Sequence, residues 1–190
     1  MSSPPPAETE AYSITGYPGI ESGDIMPYWF RQYREGGCRI VETLPEFSGG
    51  YFFLGINEGD DIETLRLWAQ EFSAARDLPR LVASRVEERM TGEFLYPDDE
   101  YGEFFERFVK AVSDSVFEGA SIHSVFWIRR RIDGEAGPER YVFFVPVVIA
   151  KPLLREQLSG IMEKITTAVR PTREQAAAIN RLKADFFDGF

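Results

Sequence analysis

Two stretches near the middle of the chain, residues 121–132 and 139–150, carry its densest runs of β-branched and aromatic side chains. Asp133-Gly134-Glu135-Ala136-Gly137-Pro138 lies between them and collects turn formers. The pattern predicts a long hairpin with an extended loop. If Ile132 pairs with Glu139, side-chain alternation assigns the faces. Phe126 and Ile128 then share one face with Tyr141, Phe143 and Val145. His123, Trp127, Arg129 and Arg131 share the other with Arg140, Val142 and Phe144. This second face is apolar at one end and basic at the other, so it needs a cover, either a helix or a second copy of the chain. The same register sets Arg131 against Arg140, which is unfavourable unless the register slips or carboxylates neutralise the pair. Pro146 cannot donate to a ladder and predicts an edge or a bulge.

Elsewhere the apolar positions recur mostly at helical spacing. Residues 27–33 predict a short aromatic helix, with Pro27 early and Gly36-Gly37 as its stop. Residues 38–44 and 51–56 read as two short strands turned by residues 45–50, a second hairpin. Asp60 and Glu63 have capping-box spacing, and Ile62, Leu65, Trp68, Ala69 and Phe72 then repeat on one side of a helix. That helix is expected to end near Arg76 and a new one to begin at Asp77-Leu78-Pro79. Leu81, Val82, Val86 and Met90 form its inner side, with Arg80, Arg85, Glu87, Glu88 and Arg89 in water. A third helix follows Asp98-Asp99-Glu100, where carboxylates suit the positive end of the helix dipole. Its stripe of Phe104, Phe105, Phe108, Val109 and Val112 is the strongest in the chain. Pro152 opens a helix with Leu154, Leu158, Ile161, Met162 and Ile165 inward, and Pro171 breaks it. Thr172 and Gln175 then cap a last helix through Phe186.

These elements predict an α+β fold: an antiparallel sheet built from two hairpins, with about five amphipathic helices packed on it. Residues 1–20, rich in Pro, Ser, Glu and Gly, are expected to be a disordered N-terminal segment, and 21–190 a single α+β domain. A chain of 190 residues can bury a sizeable core, and its 16 Phe and 8 Tyr supply much of the packing area.

Charge narrows the partners. A net charge of −10 argues against general nucleic-acid binding, which needs surplus Lys and Arg. The single Cys38 cannot form an intrachain disulfide or a thiolate metal cage, and a cytoplasmic location is expected. No start-of-chain leader is visible, and the longest apolar run, residues 141–150, is too short for a spanning helix, so no membrane partner is expected.

Candidate chemistry is sparse. His123 is the lone histidine and the only neutral-pH acid–base candidate, although a histidine on a mixed face is more often packed or simply exposed. Asp60-Asp61 and Asp98-Asp99-Glu100 could take a hard cation by type, but they sit where helix starts want acid and lack calcium-loop spacing. No metal and no cofactor is expected. The glycines form no phosphate-binding signature, and no nucleophile-elbow pattern occurs. Arg129-Arg130-Arg131, beside Trp127, is the most unusual polar feature. Arginine clusters suit carboxylate or phosphate recognition, while the competing role is pairing with the protein's own acids.

The resulting expectation is a non-enzymatic protein-interaction or regulatory module. It would self-associate, or hold another protein, through a sheet face carrying Trp127 and Phe144, with Arg129, Arg131 and Arg140 as its rim. The alternative is a small-ligand sensor, or an enzyme acting on an anionic substrate, with His123 as the acid–base group.

Overall fold

The structure, a computed structural model, describes residues 12–93, 102–132 and 138–169, together with Arg173, Ala177, Asn180, Phe186, Phe187 and Phe190. The chain divides into two compact units, one of residues 1–73 and 121–148, the other of residues 74–120 and 149–190. The fold is α+β: the described residues form an antiparallel sheet of five strands and five α-helices.

In the first unit the described chain opens with β1 (Tyr12–Gly16), and a 3-10 turn Ile20–Ser22 leads to α1 (Tyr28–Val41). β2 (Gly50–Gly59) and α2 (Ile62–Glu71) follow. Later in the chain come β3 (Ala120–Ile122), β4 (Phe126–Ile132) and β5 (Arg140–Ala150). The strand order is β1-β4-β5-β2, with β3 also pairing to β5. Of the segment expected to be disordered, residues 1–11 lie outside the described residues and Tyr12–Gly16 is an edge strand instead. Its partner β4 is distant in sequence, and Tyr12 and Ile14 pack against the apolar cluster, neither of which local composition reveals.

The central hairpin forms, but one residue out of the expected register. Phe126 pairs with Phe144, Trp127 with Phe143 and Arg130 with Arg140. A one-residue slip exchanges the faces of one strand relative to the other. The packing of α1 accounts for this choice: Phe30 sits 4.8 Å from the Phe126 ring and 4.9 Å from the Phe144 ring, which requires both on one face. That face holds a buried cluster with Ile128, Val142, Phe52 and Leu54, closed by Val41, Leu44 and Phe47. Pro146 is buried within β5, not at an edge of the sheet. The partner strand is interrupted there between β3 and β4, and His123 N–H donates to the Pro146 carbonyl at 2.9 Å. The missing donor of proline is thus met by a break in its neighbour.

The expected strand at 38–44 is helical instead. α1 breaks at Gly36 and Gly37, the latter at φ 71°, and resumes to Val41. Val41, Leu44 and Phe47 are all buried, a spacing of three that turns succeed in burying and a strand would not. The Glu42 carboxylate, itself buried, accepts from Phe52 N–H at 2.9 Å and so takes a donor that a hairpin partner would otherwise have met. β2 therefore has no partner from 38–44. Its Gly55 is held close to Phe72, whose ring would lie 2.4 Å from a Cβ at that position.

α2 is capped by Asp61 rather than by Asp60. Asp61 accepts from the N–H groups of Glu63 and Thr64, and Asp60 is left to pair elsewhere. The predicted inner side holds, with Leu65 and Phe72 buried.

The second unit contains α3 (Ala74–Glu93), α4 (Gly102–Ser113) and α5 (Lys151–Val169), with α4 packed on both others. α3 begins earlier than expected and runs through Pro79. Val82, Val86, Met90, Phe104, Phe108, Val112, Leu154, Leu158 and Met162 are buried, as their helical spacing predicts. Arg89, expected in water, is buried and donates from Nε to the Phe186 carbonyl at 3.2 Å. Most of the helix expected from Thr172 lies outside the described residues. Phe186 is buried and edge-on to Phe108 at 5.9 Å.

Candidate functional site

Alternation along β4 splits the arginine run between the two faces of the sheet, and each half meets its own carboxylates. Arg130 and Arg140 share the face of Phe126 and Phe144 and are direct cross-strand partners. Glu58, at the end of β2, stands between them: its Oε2 is 2.8 Å from Arg130 and its Oε1 is 3.5 Å from Arg140. Asp60 takes a further donor of Arg140 at 3.1 Å. Arg130 also lies over the Tyr12 ring at 4.9 Å, and only 12% of its side chain is exposed. The like-charge pair feared from the sequence therefore exists one residue away, between Arg130 and Arg140, and is neutralised in place.

On the opposite face, Arg129 and Arg131 converge on the single carboxylate of Glu139, at 3.1 Å and 3.0 Å. Arg131 makes an aligned hydrogen bond to Oε1. The Nε of Arg129 is close to Oε2 but not aligned with it, and among the described residues this buried N–H has no hydrogen-bond acceptor. Arg129 is anchored from below: it donates to the Thr15 carbonyl at 3.3 Å and its guanidinium lies over Gly16. Arg129 is 40% exposed and Arg131 56% exposed. Beside them Trp127 meets Tyr141 edge-on at 5.8 Å and stacks on Phe143 at 6.3 Å. Trp127 and Tyr141 are half-buried, while Phe143 is buried.

The predicted site residues are thus only partly brought together. Trp127, Arg129 and Arg131 share one surface. Arg140 and Phe144 fall on the other face, and Phe144 is buried beneath α1, because the observed register reverses their parity. Tyr141 and Glu139 belong to the surface and were missed. The alternation that placed Trp127 would have found both had the register been one residue different.

His123 is exposed, and its ring meets Phe47 edge-on at 5.4 Å. Among the described residues no carboxylate pairs with that ring. No group of three or more His, Cys, Asp or Glu among the described residues could hold a metal ion. An open depression borders Gly160, Glu163, Lys164 and Thr167 on α5, a lining without an acid–base pair in hydrogen-bond contact. No helix among the described residues is long and apolar enough to cross a membrane.

The Asp61 carboxyl is held below the usual carboxylate range, chiefly by the Thr64 hydroxyl and then by the N–H groups of Thr64 and Glu63. Those partners make it a helix cap, with its acceptor capacity directed at its own backbone.

No protein-family model matches the chain, and neither a curated protein nor a solved structure matches it.

Proposed function

We propose that this chain is a non-enzymatic protein-interaction module whose contact surface is the sheet face carrying Trp127, Tyr141, Arg129 and Arg131. The observation that carries the reading is the juxtaposition of two half-buried aromatic rings with one half-buried and one exposed arginine on one strand pair. Trp, Tyr and Arg dominate the energetics of protein interfaces, because a flat ring or a planar fork buries much area at low entropic cost. An arginine has five N–H donors, and one shared carboxylate leaves both Arg129 and Arg131 with capacity for a partner. The surroundings of His123 supply no comparable support for an acid–base role. The lone Cys38 fits a module working in the reducing cytoplasm.

The test is site-specific photo-crosslinking in cells. A photoreactive phenylalanine at Tyr141 is expected to give a discrete protein adduct that is lost when Arg129 and Arg131 are both changed to Ala. The same probe at the exposed Leu67 of α2 serves as the control. If Tyr141 gives no adduct beyond that control, the interaction reading falls.

A further inference from the structure

We infer that in the free protein this surface is covered by the chain's own N-terminal segment, with Glu8 and Glu10 on the arginines and Pro6 on the aromatic rings, and that a partner must displace it. The inference rests on the interaction reading above and adds the regulation of that surface. Connectivity is its first ground. Residues 1–11 precede β1 and lie outside the described residues. β1 delivers them to the arginine end of the surface: Tyr12 pairs with Ile132 and Ser13 with Arg131, while the Thr15 carbonyl takes a donor of Arg129.

The pattern of the segment is the second ground. Pro6, Glu8 and Glu10 recur at every second residue, as do Trp127, Arg129 and Arg131 along β4. In extended chain both spacings are about 6.6 Å, so a segment turned back over the face sets acid on base and proline on ring together. The span suffices. Pro6 precedes Tyr12 by about 20 Å of extended chain, and Trp127 precedes Ile132 by about 17 Å of strand. Among the described residues Arg131 makes one aligned side-chain hydrogen bond, to Glu139, and Arg129 one, to the Thr15 carbonyl, so both keep donors for a further carboxylate. Pro4-Pro5-Pro6 favours the polyproline II conformation, which docks on aromatic rings. The tether supplies what the contacts lack in strength. It holds the segment at an effective concentration of roughly millimolar, so individually weak exposed ion pairs suffice to populate the covered state. It also brings carboxylates to the arginines without drawing a further acidic molecule up to a chain of net charge −10.

The test places the photoreactive phenylalanine at Tyr141 of the purified full chain and locates its adducts by peptide mass mapping. The probe is expected to join residues within 1–11 of the same molecule, giving a product of monomer mass. Glu8→Lys/Glu10→Lys should lower that adduct about tenfold, and added salt should lower it in the wild type. Circular dichroism checks folding. Should the reversal fail to fold, the milder Glu8→Gln/Glu10→Gln replaces it, with a loss of about threefold expected. In cells the reversed variant is expected to raise the Tyr141 adduct with a foreign protein about threefold or more, because the competing segment is released.

No adduct to residues 1–11, or one that the charge changes leave as strong as in the wild type, overturns the docking. An adduct of twice the monomer mass means that the segment reaches another copy, and overturns it too. A foreign adduct in cells that the reversal fails to raise leaves the interaction reading standing and overturns the competition. Docking in the purified chain with no foreign adduct in cells, from wild type or variant, removes the interaction reading and the competition with it, and leaves only the covered surface.

Discussion

The two faces of the β4–β5 pair are built from the same residue types, with aromatic side chains at one end and arginines at the other. On the α1 side Phe126 and Phe144 enclose Phe30 and are buried, and the Arg130–Arg140 pair is bridged by Glu58. On the other side Trp127 and Tyr141 remain half-buried, and Arg129 and Arg131 hold Glu139 in partial contact with water. The difference follows from what covers each end. The first face carries a helix whose ring fits between two others, so its contacts are spent on folding. The second ends in a surface where the same chemistry remains available to a partner.

That contrast predicts that the first face governs stability and the second governs association. The largest effect is expected from Phe30→Ala, which empties the space between Phe126 and Phe144. It should lower unfolding free energy by about 3–5 kcal/mol in urea titrations, whereas the half-exposed Trp127→Ala should cost about 1–2 kcal/mol. If Trp127→Ala destabilised the fold as much as Phe30→Ala, the division of labour between the faces would be wrong.

Glu58→Gln comes next. It leaves Arg130 and Arg140 facing each other with one carboxylate, Asp60, reaching only the outer of the two. A loss of about 1–3 kcal/mol is expected, smaller than for a fully buried pair because Arg140 is in contact with water, and it should shrink as salt is added. The matching change on the other face, Glu139→Gln, should cost under about 1 kcal/mol, because its partners are exposed. Equal costs for the two would show that the burial of Arg130 does not set the Glu58 contacts apart from those of Glu139.

The smallest effect lies outside both faces and calibrates them. The carboxyl of Asp61 is held below its ordinary range in the folded chain, so its capping contribution is complete above the unfolded carboxyl value. It is lost as pH falls from that value through the lowered folded one. Protection of the Glu63 and Thr64 amides, taken relative to their intrinsic exchange rates at each pH, should fall across that acidic window. In Asp61→Ala those two amides should lack this protection at every pH, while protection of the amides near Trp127 remains unchanged. Uniform loss of protection across the molecule would instead mean that acid unfolds the chain as a whole.

Much of the helical half was legible because each helix buries a stripe that repeats along its own sequence. Leu154, Leu158 and Met162 declare their inward side locally, as do Phe104, Phe108 and Val112. The corrections fall where a neighbour distant in sequence decides. Arg89 reads as a wet position until the Phe186 carbonyl is beside it. Residues 38–44 alternate well enough for a strand, yet Glu42 is used to hold Phe52 N–H and the segment winds into turns. Tyr12–Gly16 sits at the edge of a Pro- and Glu-rich stretch and becomes a strand only because β4 supplies its ladder.

For the candidate site the boundary is one residue wide. Composition and alternation along the chain determined that 126–132 and 140–150 would be strands and that Arg129 and Arg131 would point together with Trp127, but not the break at 123–125. They also determined that no recognised reaction motif accompanies them. Which residues of the second strand join that surface was decided only in three dimensions. A strand's alternation has a period of two, so its faces are defined relative to one another but not relative to its partner, until a ring such as Phe30 selects one register by packing between Phe126 and Phe144.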